Sequence, residues 1–234
     1  MATPKTRAVL FNNPLNPAGV VHSDEELALL ARFCERFDAI AISDEVWEHV
    51  VFDDRPFRSL MSAPGMRART IKIGSAGKIF SLTGWKVGLV VAHPTIMRAL
   101  SKAHQFLTFT TPPNLQAAVA YGLGKDDAYF HGLRRGLQRS RDRFSKGLDE
   151  AGFAVLPSQG SYFVNIDIAP LGARDDAEFC QRLVKEHGVA AIPVSAFYAQ
   201  DHVRNVVRFC FAKKDSTLDA ALERLSRARA RLTA

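Results

Sequence analysis

Residues of four different chemistries follow short apolar runs in this chain. Asn16 lies in Asn12-Asn13-Pro14-Leu15-Asn16-Pro17, Asp44 in Asp44-Glu45, and Ser75 and Lys78 in Ser75-Ala76-Gly77-Lys78. An amide, a carboxylate, a hydroxyl and an amine brought together can bind a small polar molecule and work on it. Ligands of open α/β sheets bind beyond the carboxyl ends of the strands. If the three runs are parallel strands, these side chains converge on one edge. Other chemistries have less support. Gly74-Ser75-Ala76-Gly77-Lys78 lacks the glycine spacing of a phosphate-binding P-loop, and Ile79 follows the lysine where Ser or Thr is required. There is no G-x-S-x-G elbow, no C-x-x-C and no H-E-x-x-H, and the seven histidines are scattered singly.

The elements that must position these residues are legible from periodicity. Ala8–Phe11 reads as a buried strand running into a loop. Ser23 with Glu26 forms a capping box, and Leu27, Leu30, Ala31, Cys34 and Phe37 follow at helical spacing, so a helix is expected over about 23–37. Continuous apolar runs at 39–43, 70–74 and 87–92 complete a pattern of strands, which predicts an α/β sheet buried on both faces. From Pro94 the texture changes. Helices are expected at 94–107, 112–123 and, with many charges, 126–150. Short strands at 153–156, 161–166, 189–193 and 206–211 then mix with helices at 175–187 and 216–232. The chain therefore divides into a large-domain part at 1–125 and a smaller α+β domain at 126–234.

Composition sets the class. A hydrophobic fraction of 47% with 24% charged residues is that of a soluble globular protein, and no apolar run reaches the length of a membrane span. Residues 1–5 contain no apolar h-region, so no secretion signal is expected. Cys34, Cys180 and Cys210 are far apart and set among apolar residues, which reads as buried free thiols in a cytoplasmic protein. The net charge of +7 is concentrated in Arg134, Arg135, Arg139, Arg141, Arg143 and Lys146. Without interleaved aromatics, that stretch reads as the solvated face of a long helix, so no nucleic-acid partner is expected.

Four motifs in order carry a family resemblance. They are Asn13-Pro14-Leu15-Asn16-Pro17-Ala18-Gly19; Ser43-Asp44-Glu45-Val46-Trp47; Ser75-Ala76-Gly77-Lys78-Ile79-Phe80-Ser81-Leu82-Thr83-Gly84-Trp85-Lys86-Val87-Gly88; and Val207-Arg208-Phe209. With them the chain resembles the class I/II aminotransferases, fold-type I enzymes that depend on pyridoxal 5'-phosphate. The resemblance implies part of the large domain, a mostly parallel sheet flanked by helices, followed by the small α+β domain. It implies transfer of an amino group between an amino acid and a 2-oxo acid through a lysine Schiff base. Lys78 matches the Schiff-base lysine and Asp44 the carboxylate that pairs with the pyridinium nitrogen. Asn16 matches the amide at the cofactor's phenolic oxygen, close to the substrate. Ser75 and Lys86 match two phosphate contacts, and Arg208 the arginine that grips the substrate's α-carboxylate.

Two departures qualify the match. Trp47 stands where the family usually has a tyrosine. Indole donates one N–H and accepts nothing, so Trp47 is a cofactor neighbour without a hydroxyl's acid–base capacity. The resemblance also begins just before the first motif, leaving the family's N-terminal phosphate cradle outside it. The chain is thus expected to act with a complementing N-terminal segment, or as a homodimer. The alternatives are a truncated inactive or binding-only fragment, or a C–S β-lyase of the same fold. His104-Gln105-Phe106 and Thr108-Phe109-Thr110 resemble the branch containing kynurenine–glutamine and methionine transaminases, which points to large neutral or aromatic substrates.

Overall fold

The computed structural model describes residues 2–200 and 203–232. It divides into two compact units, one made of Met1–Pro14 and Val21–Leu133, the other of Leu15–Val20 and Arg134–Ala234. The six-residue segment Leu15–Val20 thus belongs with the C-terminal half of the chain.

The first unit is built on strands β1 (Ala8–Asn12), β2 (Ile40–Asp44), β3 (Thr70–Ser75) and β4 (Gly88–Val91), in that spatial order. β1, β2 and β3 are parallel, and β4 returns antiparallel to β3. Helix α1 (Asp24–Arg36) begins where the capping box places it. The Ser23 hydroxyl accepts from Glu26 N at 3.3 Å, and the Glu26 carboxylate accepts from Ser23 N at 2.8 Å. The apolar stripe of α1, Leu27, Ala31 and Cys34, packs with Ala41 of β2, Leu60 and Met66, and Val9 and Phe11 of β1 join it.

Alternation along β1 puts Leu10 on the opposite face, where it is 76% exposed. Val90 and Val91 of β4 are also exposed. The expected burial of both faces therefore holds only in part, because α1 and the Leu60–Met66 segment cover one face of β1 and β2. Three more helices follow β3 and β4: α2 (Ala76–Ile79), α3 (Pro94–Leu107) and α4 (Pro113–Leu123). Ala76, Val87 and Val119 form a second small core with Phe80, Leu89 and Leu115.

Helix α5 (Asp127–Glu150) contains the division between the units. In the second unit, β5 (Ala154–Val155), β6 (Phe163–Asp167), β7 (Ile192–Pro193) and β8 (Val206–Cys210) form an antiparallel sheet in the order β5-β6-β8-β7. Helices α6 (Asp176–His187) and α7 (Asp215–Ala228) complete it. Phe144 and Leu148 of α5 are buried in this unit, and the Phe144 ring meets Phe209 of β8 edge-on at 5.8 Å.

The basic stretch of α5 is not uniformly solvated. Arg141 is buried and donates to Ser158 O at 2.9 Å, while Arg143 makes a forked contact with Asp219. Cys34 and Cys180 are buried, whereas Cys210 is half-buried. Burial pushes the Cys180 thiol up to about 12, so it is inert at neutral pH. No helix among the described residues is long and apolar enough to cross a membrane.

Removing the Phe144 ring leaves a cavity between α5 and β8. Phe144→Ala is expected to destabilise the second unit by about 3–5 kcal/mol, read as a lower urea midpoint of its unfolding transition.

Candidate active site

The parallel register decides what meets in the first unit. Asn12 lies opposite Asp44, and Asp44 opposite Ile73, two residues before Ser75. Side chains two apart on a strand share a face, so Asn12, Asp44 and Ser75 project from one face at the carboxyl ends of three adjacent strands. This is the opposite face from Ala41 and the α1 core. The Asp44 backbone is held from β1: its carbonyl accepts from Asn12 Nδ2 at 2.9 Å and from Asn13 N at 3.0 Å. Its carboxylate accepts from Val46 N at 3.2 Å, which turns the chain toward Trp47.

Trp47 is buried, and the Lys78 ammonium lies 5.0 Å from the centroid of its ring. That is cation–π range. Lys78 sits on the short helix α2, whose N-cap position is Ser75; the Ser75 hydroxyl makes no capping bond. The chain then folds back on α2. Leu82 N and the Thr83 hydroxyl both donate to Gly77 O, and a Cβ on Gly77 would lie 2.9 Å from Thr83 Cα. Glycine at 77 is therefore a packing requirement beside the lysine. Lys86 is exposed, adopts a left-handed conformation with φ of 56°, and ends the 3-10 turn Thr83–Trp85. It precedes by two residues Gly88, the β-partner of Ser75, so it stands at the same end of the sheet.

Beneath Asp44, on the other face, lies a buried charge cluster. One Glu45 carboxylate oxygen accepts from the Ser43 hydroxyl at 2.8 Å, the Ser59 hydroxyl at 3.0 Å and Leu60 N at 3.1 Å. Its other oxygen is 3.7 Å from Lys72 Nζ, and Lys72 also pairs closely with Glu48. Burial outweighs these partners and pushes the Glu45 carboxyl above its ordinary range. The cluster ties β2, β3 and the 59–60 loop to the turn that carries Trp47. His49, one residue beyond Glu48, stacks on Phe130 at 4.8 Å, and burial lowers its pKa.

The second unit contributes Asn16 and Arg208. The Leu15–Val20 loop is closed by Leu15 N donating to Val20 O at 2.8 Å and Gly19 N donating to Leu15 O at 2.7 Å. Asn165 Nδ2 anchors it by donating to Pro17 O at 2.8 Å. Gly19 has φ of +70°, and Gln159 N and Gly160 N donate to its carbonyl, so the loop needs glycine there. Arg208, on β8 opposite Asn165, donates from one terminal nitrogen to Asn16 Oδ1. Its Nε is buried without a hydrogen-bond partner among the described residues, and no carboxylate among them pairs with it. An ion pair, the ordinary alternative for this arginine, is thus not found. Burial lowers the guanidinium's pKa.

Of the residues expected from the sequence, Asp44, Trp47, Ser75, Lys78 and Lys86 lie in the first unit, and Asn16 and Arg208 meet in the second. Asn12 and the Glu45–Lys72–Glu48 cluster were not singled out. Asn12 was legible in principle from its place at a strand end. The partners of Glu45 lie about 14 and 27 positions away, at Ser59 and Lys72, and no local spacing announces them.

The donor set of the first unit fits a phosphorylated pyridine aldehyde. It offers an amine, a carboxylate that can accept from a ring N–H, a hydroxyl not spent on capping, and an exposed cation.

The comparisons agree with this chemistry. The family model for aminotransferase class I and II matches residues 2–225. A Mycobacterium tuberculosis protein described as a probable N-succinyldiaminopimelate aminotransferase is 43% identical over 233 residues, covering 96% of this chain and 59% of that protein. The methionine aminotransferase of Escherichia coli K12 is 39% identical over 221 residues, covering 94% of this chain and 57% of that one. The solved structure of N-succinyldiaminopimelate aminotransferase from Mycobacterium tuberculosis superposes with a TM-score of 0.94 at 44% identity, over 97% of this chain and 59% of that one. The chain belongs to the class I and II aminotransferase family. It spans somewhat under two thirds of the length of these relatives.

The buried Glu45 predicts a pH signature. A carboxyl whose pKa is raised on folding contributes most below its unfolded value near 4.5, and that contribution is lost as pH rises through the folded value. Glu45→Gln does not titrate. Urea titrations from about pH 4.5 to 8 should therefore show the stability advantage of the native chain over Glu45→Gln narrowing as pH rises. An advantage that widens with pH would mean that attraction to Lys72 outweighs burial.

Proposed function

We propose that this chain carries the reacting and carboxylate-binding residues of a pyridoxal-phosphate-dependent aminotransferase working between an amino acid and a 2-oxo acid. The observation that carries the reading is Arg208. A guanidinium drawn partly out of water without a carboxylate partner is costly by itself, and it is matched by a ligand carboxylate, which its planar fork can bind through two oxygens. Both proposed substrates bear such a group. Family membership and the donor set of the first unit support the rest.

In this reading Lys78 is the catalytic amine. It would hold the cofactor covalently and, freed by the substrate's amine, would take the proton from Cα of the amino acid in one half-reaction and deliver a proton to C2 of the 2-oxo acid in the other. Asp44 keeps the cofactor's ring nitrogen protonated, and its backbone carbonyl is fixed by Asn12 and Asn13 so that the carboxylate stays in place. Ser75 and Lys86 bind the phosphate, the one as a hydroxyl donor and the other as a point charge. Asn16 serves the cofactor's phenolic oxygen while bracing Arg208. Trp47 presents its ring face to Lys78 and, lacking a hydroxyl, takes no part in proton transfer. When bound, the cofactor supplies an electron sink for the charge left at Cα.

The same reading makes residues 1–125 part of the cofactor-binding domain and 126–234 the small domain. A homodimer is proposed on the exposure of Phe106, Leu107 and Phe109, which are between 75% and 86% accessible. A cytoplasmic location is proposed on three free cysteines.

The test is covalent capture. The purified chain is mixed with pyridoxal phosphate, its lysine-bound absorbance recorded, and the product reduced with borohydride and mapped. The label is expected at Lys78 and absent from Lys78→Ala, and amino transfer to a 2-oxo acid should fall in that variant by at least about 10²–10⁴-fold. No saturable absorbance, or a label spread over several lysines, would remove the proposed role of Lys78 in this chain. Pyruvate and ammonia formed from a thioether amino acid, without amino transfer, would replace transfer with C–S cleavage.

A further inference from the structure

We propose that Phe197 is a positioning residue for Arg208, holding the guanidinium between aromatic rings so that it presents its edge, and not its face, to a planar carboxylate. This deepens the assignment of Arg208 as the carboxylate site and rests on it.

The geometry comes from the small sheet. β8 carries Arg208 between two neighbours, β6 on one flank and β7 on the other. Asn165 of β6 and Ile192 of β7 both lie opposite Arg208, so side chains on that face of β6 and those just beyond β7 can reach it from both sides. Phe163, two residues before Asn165 on the same face, puts its ring centroid 3.9 Å from the guanidinium carbon. Phe197 comes from the 3-10 turn that directly follows β7, and its centroid is 4.8 Å from the same carbon. Asn16 takes one in-plane donor, and Nε has no hydrogen-bond partner among the described residues. A ring stacked on a guanidinium does not use its N–H groups, so the terminal nitrogen that Asn16 does not take is left to a ligand.

Phe197 differs from an ordinary core phenylalanine, because 46% of it remains exposed. About half of its surface is covered, and the Arg208 guanidinium is one of the groups against it. An arginine side chain has many rotamers, and a loosely held one loses that freedom when it binds. A ring that fixes its plane beforehand removes part of the cost. Immobilising one such side chain on binding corresponds to about 2-fold to 13-fold in affinity.

The experiment measures binding of 3-phenylpropionate, a carboxylate with no amine to react, to the whole purified chain by calorimetry. Arg208→Ala, Phe197→Leu and Phe197→Tyr are compared with the native chain. Leucine fills much of the space but offers no π face, whereas tyrosine keeps the ring. Arg208→Ala should abolish binding, Phe197→Leu should weaken it by about 2-fold to 13-fold, and Phe197→Tyr should stay within about 2-fold of the native chain. A second readout needs no ligand. The Arg208 Nε–Hε resonance should move in Phe197→Leu, which removes one of its two ring currents, and stay in place in Phe197→Tyr. If Phe197→Leu binds as tightly as the native chain and leaves that resonance in place while Arg208→Ala fails to bind, the role of Phe197 is overturned and that of Arg208 stands. If Arg208→Ala binds as the native chain does, or the native chain does not bind, the carboxylate assignment falls and takes the proposal with it.

Discussion

In a parallel sheet every strand points the same way, so the side chains at the carboxyl ends come level only if the register is correct. A shift by one residue would turn Asp44 to the α1 side of the sheet and bring Ser43 in its place. The pairing of Asn12 with Asp44, and of Asp44 with Ile73, is therefore the constraint on which the first unit's site depends. It is held by packing on one face, where Val9, Phe11 and Ala41 meet α1. It is held by hydrogen bonds as well, because the buried Glu45 carboxyl ties the end of β2 to the 59–60 loop and lies beside Lys72 of β3. The polar groups at the strand ends and the burial beneath them belong to one arrangement.

The second unit answers a different problem, which is how to keep a positive charge half out of water without neutralising it. Arg208 has two aromatic rings close to its guanidinium, a bonded amide at Asn16, and no paired carboxylate among the described residues. An internal carboxylate would have made the unit easier to stabilise and would have taken the donors that the proposed ligand needs. The Leu15–Val20 segment belongs to this unit because its amide and its Pro17 carbonyl are bonded to β8 and β6.

Helix α1 was legible from its capping box and stripe, and α3 from its proline start and spacing, because both signals lie within a few residues. The strand runs were legible as apolar segments. Their exposure was not: Leu10, Val90 and Val91 look like core residues in the sequence and stand in solvent here, since burial depends on which neighbours cover a face. Arg141 shows the converse, a charged residue in a charged run that folds inward to serve the Ser158 carbonyl.

The sequence by itself determined which chemical groups the site could contain. Four ordered motifs name an amine at 78, a carboxylate at 44, an amide at 16 and a guanidinium at 208, because those identities and spacings are local facts of the chain. Only the tertiary structure decided what surrounds them. It put the Trp47 ring face against Lys78, left Arg208 without a counter-charge among the described residues, set Phe197 beside it, and buried Glu45 under Asp44. These contacts join residues far apart in sequence through strand register and loop return, and no periodicity along the chain encodes them.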